Sequence, residues 1–168
     1  MAQSSQAANV QTQRSAMDKL QFLVGTWSGH ARIWQGPGIS IELIQTEQVI
    51  YKVDGLILTI EGIGKSKSDG RVALQAFGLI SYDDEAGAYR MRAFNDGRWL
   101  ESEVSLANAG KGLQWGFAFG RIMTNSTLHI DEYGEWTEVH EAAVGSEPGR
   151  KFMEIAVKRQ NSRSGRAN

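Results

Sequence analysis

The chain of 168 residues contains no cysteine, only two prolines and no long apolar run. Without cysteine there are no disulfides, thiolate metal ligands or cysteine nucleophiles. Basic residues number 18 and acidic residues 19, so the net charge of −1 gives no general attraction to nucleic acid or to an anionic membrane. No apolar stretch reaches the roughly 18 residues that span a bilayer. We therefore expect neither nucleic acid nor a membrane as a partner.

Both ends of the chain are polar. Residues 1–14 are rich in Gln, Ser, Asn and Ala and lack the apolar segment of a secretory signal, and residues 161–168 are equally polar. Such segments bury too little apolar surface to offset their ordering entropy. The sequence therefore predicts mobile tails at 1–14 and 161–168 around a single domain at 15–160. It also predicts a cytoplasmic location, or a periplasmic or secreted one if a signal peptide has been removed.

One short helix is predicted near the N-terminus, from Ala16 to Val24. Ser15 can cap its first turn, and Met17 and Leu20 recur at helical spacing on one face. Gly25 is a natural helix end, because glycine adopts the left-handed conformation without a steric penalty. A helix this short depends on packing against the rest of the domain.

After this helix the sequence predicts ten short strands joined by turns that are rich in Gly, Asp and Asn. No helical segment separates them, which favours antiparallel pairing in sequence order. Closure of such a sheet removes its two exposed edges. The predicted fold is therefore all-β, an antiparallel up-and-down β-barrel of about ten strands with one short N-terminal helix; a two-sheet sandwich is the alternative. The predicted strands are Thr26–Trp34, Ile41–Val53, Gly55–Lys65, Arg71–Tyr82, Ala88–Phe94, Trp99–Ala107, Gly112–Phe119, Arg121–Ile130, Trp136–Val144 and Lys151–Arg159.

The segment Gly25-Thr26-Trp27-Ser28-Gly29, which enters the first strand after the helix, carries a family resemblance. It resembles the calycin superfamily of lipocalins, fatty-acid-binding proteins and nitrobindins, and most closely a bacterial lipocalin-like family of unknown function. Asp54-Gly55-Leu56 and Trp136-Thr137-Glu138, followed by Lys151-Phe152-Met153-Glu154, extend the similarity over most of residues 17–159. The resemblance implies a barrel with an interior pocket.

No metal or cofactor is expected. Nitrobindins carry a haem-ligating histidine near the C-terminus, but this chain has no histidine after His140. His30 and His129 are far from it in sequence, and none of the three forms a recognised metal-binding pattern. His129 and His140 lie on predicted neighbouring strands, but two ligands make a poor zinc site without a third.

Alternation along two predicted strands places ionisable side chains inside the barrel. Glu47 lies in the more apolar row of the second strand, where a buried carboxylate requires partners or a raised pKa; the alternative is a solvated position near the barrel mouth. Glu138 and His140 share the face of Trp136, and such a pair can act as general acid and base. The alternative for this pair is an exposed cross-strand contact.

Two further polar candidates depend on strand orientation. Glu154 would face the interior if Phe152 does, although Met153, Ile155 and Val157 form an equally good inward set. Arg92 could receive a ligand carboxylate through a two-point contact. The alternative is an exposed Arg92 opposite the acidic residues of the sixth strand.

These observations favour binding of a small apolar or amphipathic molecule inside the barrel, since ligand pockets are mostly apolar with a few polar groups. A second hypothesis is a cofactor-free isomerase, cyclase or lyase that uses Glu138 and His140 as catalytic residues. A third is a homodimeric scaffold, suggested by Ile44 and Ile50 on the outer side of the second strand. The predicted ligand-binding residues are Trp27, Glu47, Tyr51, Phe77, Arg92, Trp99, Trp115, Phe117 and Glu154.

Overall fold

The computed structural model describes residues 7–95 and 97–160. These residues form one α-helix, α1 (Val10–Met17), a 3-10 helix that follows it directly (Asp18–Leu23), a short 3-10 turn (Asn108–Gly110) and eleven strands. The strands are β1 (Gly25–Gly36), β2 (Ile39–Lys52), β3 (Ile57–Ser66), β4 (Val72–Asp83), β5 (Ala88–Asn95), β6 (Arg98–Ala107), β7 (Gly112–Trp115), β8 (Ala118–Phe119), β9 (Ile122–Ile130), β10 (Glu135–Val144) and β11 (Arg150–Arg159).

The strands form one closed antiparallel barrel. Neighbours along the chain pair from β1 to β7, β9 pairs with β10, and β11 returns to pair with β1. The short strands β7 and β8 both pair with β9 and together occupy one position in the ring, which therefore has ten strands. The predicted up-and-down barrel with one short N-terminal helix is confirmed, and the sandwich alternative is wrong.

A close approach of two backbones explains the break between β7 and β8. A Cβ atom at Gly116 would lie only 2.3 Å from the carbonyl oxygen of Thr124 on β9. Beside it, Phe117 receives a hydrogen bond from the Thr124 backbone amide at 2.8 Å. Glycine is the residue that permits this contact, so the seventh predicted strand divides in two.

The helix begins earlier than the sequence predicts. Asn9 caps α1, with its side chain accepting a hydrogen bond from the Thr12 amide at 3.0 Å. Asp84, in the β4–β5 turn, accepts from the Asn9 amide and from the Gln13 side chain, which lowers the pKa of Asp84 chiefly through the Gln13 contact. These contacts start the helix at Val10.

The predicted helix over Ala16–Val24 is therefore misplaced, because most of it forms the 3-10 helix instead. Residues 10–14, which the sequence assigned to a polar tail, belong to α1. The rest of that prediction divides between residues 7–9, which precede the helix, and residues 1–6, which lie outside the described residues. The tail predicted at 161–168 also lies outside them.

The two helical segments cover one end of the barrel. Met17, Leu20 and Leu23 are completely buried against the barrel core. Tyr89 donates a hydrogen bond to the Ala16 carbonyl at 2.7 Å, and Tyr51 donates one to the Met17 carbonyl. No helix in the described ranges is long and apolar enough to cross a membrane. The helical segments therefore close this end of the barrel.

Candidate functional site

The barrel encloses a cavity of about 340 Å³ above the covered end. Its wall is mostly apolar and includes aromatic residues from five strand positions and one inter-strand segment. A volume of this size lies at the lower end of the roughly 300–1,000 Å³ typical of small-molecule sites. The aromatic residues on the wall are Phe77, Trp115, Phe117, Phe119, Trp136 and Phe152.

Two glycines on β3 make room for the polar side chains of β2. A Cβ atom at Gly64 would lie 2.5 Å from Gln45 Oε1, and one at Gly62 would lie 2.8 Å from Glu47 Oε2. Cross-strand pairing places Gln45 opposite Gly64 and Glu47 opposite Gly62. Because neither glycine carries a side chain, both polar groups can lie inside the barrel rather than being forced outward.

Gln45 and Glu47 form a buried pair on the cavity wall. Gln45 is 0% exposed and Glu47 is 5% exposed, and the Gln45 amide donates to Glu47 Oε1 at 2.7 Å. Burial, and then the negative charge of Glu138, raise the pKa of Glu47 from 4.5 to about 8, while the hydrogen bond from Gln45 opposes the shift. Glu47 is therefore mostly protonated at neutral pH.

A second polar group on the wall joins β9 and β10. Ser126 Oγ lies 2.8 Å from His140 Nδ1, and His140 Nε2 lies 2.7 Å from Glu138 Oε1, although the ring N–H is not aligned for a hydrogen bond with that oxygen. The Trp136 indole donates to Glu138 Oε2 at 3.0 Å. When Ser126 donates to Nδ1, the proton of the neutral imidazole resides on Nε2, next to the carboxylate. The side chains of Ser126, Glu138 and His140 are all buried.

Aromatic rings enclose the histidine. The centroids of Trp115 and Phe152 lie 6.0 Å and 5.8 Å from that of His140. The polar groups of the cavity are thus held in a largely apolar, water-poor setting, where electrostatic interactions are stronger than at the surface.

Several of the predicted site residues border this cavity. Glu47, Glu138, His140, Trp115 and Phe117 all do so. The alternatives of a solvated Glu47 and an exposed Glu138–His140 contact are not what the structure shows, since all three side chains are buried. Their roles in binding or catalysis stay predictions.

Phe77 occupies an intermediate position. It borders the cavity, yet it is 40% exposed and lies opposite Phe94 of β5. Alternation along β4 turns its side chain away from the interior that Ala76 and Gly78 face. Phe77 is therefore a weaker candidate for ligand contact than the sequence predicts.

Two predicted residues lie at the covered end instead of on the cavity wall. Trp27 is buried edge-on against Trp136 with their ring centroids 5.3 Å apart, and its indole donates to the Leu23 carbonyl. Tyr51 holds the Met17 carbonyl. Trp27 and Tyr51 therefore pack beneath or against the helical cover and do not border the cavity.

Arg92 and Trp99 face outward, because successive side chains along a strand alternate and their neighbours Met91 and Leu100 border the cavity. Arg92 contacts Glu101 at 2.9 Å on the outer surface, while Met91 faces the cavity. Trp99 is 53% exposed and lies opposite Phe94. Arg92 and Trp99 therefore do not border the cavity, and the exposed pairing considered for Arg92 is the arrangement observed.

Glu154 also faces outward, where it contacts Lys151 at 2.7 Å. The register between β10 and β11 shifts after His140, which leaves Phe152 without a paired residue across β10. Both Phe152 and Met153 consequently border the cavity, and Glu154 falls on the outer face. The alternative inward set of Met153, Ile155 and Val157 is therefore the arrangement observed, and their regular alternation turns Glu154 outward.

The sequence missed other residues of the site. Ser126, the partner of His140, carries no distinguishing motif, and its role depends on the pairing of β9 with β10. Gln45 lies in the same row of β2 as Glu47, and Trp136 lies in the same row of β10 as Glu138. One strand alone does not reveal that two glycines of β3 leave room for Gln45 and Glu47. Among the described residues, no group of three His, Cys, Asp or Glu side chains is arranged to hold a metal ion.

The outer wall carries the apolar residues that suggested a dimer. Ile44 and Ile50 project from β2 and are exposed. The homodimer stays a prediction.

The fold is similar to two solved structures. One is the crystal structure of Rv2717c from M. tuberculosis, with a TM-score of 0.69 and 14% identity over 87% of this chain and 98% of that chain. The other is the S-type phycobiliprotein lyase CPES from Guillardia theta, with a TM-score of 0.63 and 10% identity over 94% of this chain and 99% of that chain. No protein-family model and no curated protein sequence matches the chain. These neighbours are β-barrel proteins of the calycin-like fold, and the likeness concerns the fold alone.

Proposed function

We propose that the barrel binds one small amphipathic molecule in its interior. The observation that carries this proposal is the cavity of about 340 Å³ with aromatic walls and a few buried polar groups. A core selected only for stability has few voids and avoids burying carboxyl groups. This barrel instead combines an interior space with Glu47, Glu138 and His140 on its wall.

The comparison supports a ligand-handling class of function without identifying the ligand. A protein described as a phycobiliprotein lyase shares the architecture. The proposal therefore covers bilins as well as smaller amphipathic molecules.

The proposal is tested by titration with N-phenyl-1-naphthylamine, a neutral dye whose fluorescence rises in apolar surroundings. Ala76 borders the cavity, whereas Ala73 on the same strand is exposed. We expect Ala76→Phe, which fills part of the cavity, to weaken dye binding by about tenfold or more. The matched Ala73→Phe protein is expected to bind as the wild type does. Equal binding by all three proteins, or no binding by the wild type, would contradict the proposal.

A second candidate function is cofactor-free acid–base catalysis. The chain of contacts from Ser126 through His140 to Glu138 favours it, because a buried His beside a carboxylate can accept and return a proton. The expected result is that His140→Gln still binds the dye but no longer converts a compound that the wild type converts, as followed by mass spectrometry of a small-molecule extract. Unaltered conversion by His140→Gln would exclude this role.

A further inference from the structure

Three buried polar atoms on the cavity wall have no hydrogen-bond partner within the described ranges, and two of them are acceptors: Gln45 Oε1 and Asn95 Oδ1, beside His140 Nε2. The Gln45 amide nitrogen is used by Glu47 Oε1, and Gln45 Oε1 has no hydrogen-bond partner within the described ranges. Gln45 is 0% exposed, so neither water nor a ligand atom contacts this oxygen directly. A buried acceptor without a partner is unfavourable, and its partial negative charge favours a positive charge in the adjacent cavity.

The ionisable groups on the described part of the wall are two carboxyl groups, one imidazole and one guanidinium. Glu47 and Glu138 lie on the same cavity, close enough for the charge of Glu138 to affect Glu47. The basic side chains among the described residues of the wall are His140, which already faces Glu138, and Arg98. Arg98 is exposed, with its guanidinium 5.9 Å from the ring centroid of Phe119. The buried part of the wall among the described residues thus carries the carboxyl groups of Glu47 and Glu138 and no Lys or Arg side chain, since Arg98 is exposed.

The surrounding aromatic rings complete a setting that suits a cation. Trp115, Phe117, Trp136 and Phe152 border the same cavity as the two carboxyl groups. The faces of such rings attract positive charge, and this attraction strengthens when the charge is removed from water. An anionic ligand would instead place its negative charge beside the Glu138 carboxylate.

We propose that the ligand is an organic cation: an aromatic or aliphatic body with a protonated nitrogen whose N–H groups donate to the carboxyl groups of Glu47 and Glu138 on the cavity wall. This inference rests on the proposed function, since it names the class of molecule that the cavity accepts. The apolar body occupies the aromatic part of the cavity, and the nitrogen lies beside the two carboxyl groups.

The test uses three probes of nearly equal shape: 2-naphthylmethylammonium, 2-naphthylmethanol and 2-naphthoate. Each is titrated by calorimetry into the wild-type protein at about neutral pH, where the amine is protonated. We expect the cation to bind about tenfold more tightly than the alcohol and the carboxylate to bind most weakly.

Two variants locate the preference. Glu138→Gln keeps an acceptor for the Trp136 indole but removes the charge, and we expect it to reduce the advantage of the cation over the alcohol to about threefold or less. Glu141→Gln changes an exposed carboxylate on the same strand and is expected to retain the wild-type preference. Binding of the neutral alcohol by each variant shows that its cavity is intact.

The outcomes separate the two proposals. If the alcohol or the carboxylate binds the wild type as well as the cation does, the inference about charge is wrong while interior binding stands. If no probe binds, interior binding itself is wrong. The comparison of the three probes on the wild type decides the matter even if Glu138→Gln fails to fold.

Discussion

A carboxyl group inside an apolar barrel, such as Glu47, has a direct effect on stability. Its folded-state pKa of about 8 exceeds the ordinary value of 4.5, so the folded protein binds this proton more tightly than the unfolded chain. The contribution of Glu47 to stability is complete below about pH 4.5 and is lost as the pH rises through about 8. Above that pH the folded state retains a buried negative charge close to Glu138.

Glu47→Gln should therefore stabilise the protein at alkaline pH and have little effect in acid. The shift in pKa corresponds to about 5 kcal/mol, and the melting temperature near pH 9 is expected to rise by roughly 10 °C. Thermal unfolding of both proteins at about pH 5 and pH 9 measures this difference. The exposed Glu61→Gln change is the control and should leave the pH dependence unchanged. If the Tm difference between Glu47→Gln and the wild type is the same at both pH values, the raised pKa of the buried Glu47 is wrong.

The glycines opposite the polar pair give a second prediction at this scale. Gly64→Ala brings a methyl group within 2.5 Å of Gln45 Oε1 and 2.7 Å of Leu43 Cδ1, whereas the nearest atom to a methyl group at Gly78 is 4.0 Å away. We expect Gly64→Ala to destabilise the protein by about 1–3 kcal/mol. Gly78→Ala should have little effect on urea unfolding. If the two substitutions change the free energy of unfolding equally, the close packing of Gln45 and Leu43 around Gly64 is contradicted.

Sequence reasoning recovered individual residues where burial follows simple alternation. That alternation puts Glu47, Glu138 and His140 in inward rows, and the structure shows all three buried. Ser126 is not predictable in this way, because its contact with His140 joins two strands and no local pattern reveals it. Aromatic character alone does not predict an inward position either, since Trp99 lies on the outer face of β6.

At the scale of the element, the β-strands were more predictable than the helix. Turn residues between apolar segments mark strand ends, so ten strands and their order follow from the sequence. The helix depends on partners far away in the chain, since Asp84 holds Asn9 and Gln13 at its start. The bulge after His140 is also a tertiary feature, and it decides the orientation of Phe152.

The helical cover gives a prediction about anchoring. Tyr89 is buried and donates to the Ala16 carbonyl, so Tyr89→Phe should lower the free energy of unfolding by about 1–2 kcal/mol. Tyr82 packs edge-on against Tyr89 with ring centroids 5.0 Å apart, and its hydroxyl forms no hydrogen bond within the described part of the chain. Tyr82→Phe is therefore the matched control in urea unfolding. A loss for Tyr82→Phe as large as that for Tyr89→Phe would contradict the anchoring role.

At the scale of the whole molecule, closure of the barrel and its covered end create the site. The closed sheet removes exposed edges, and the helical segments seal one end, which leaves an interior that side chains only partly fill. The sequence could predict closure and an interior pocket. It could not predict which aromatic residues reach the pocket. Trp27 and Tyr51 pack against the helical segments, and Trp99 lies on the outer wall.

The central claim is that a small amphipathic molecule binds inside the barrel, and amide chemical-shift mapping tests it most directly. The wild-type protein, labelled with nitrogen-15, is titrated with 2-naphthylmethanol, and shifts are followed by residue. We expect saturable changes at the amides of cavity-lining residues such as Gln45, Leu113 and Ser126, which lie on three different strands. Changes confined to the outer residues Phe94 and Trp99, or no changes at all, would contradict the account.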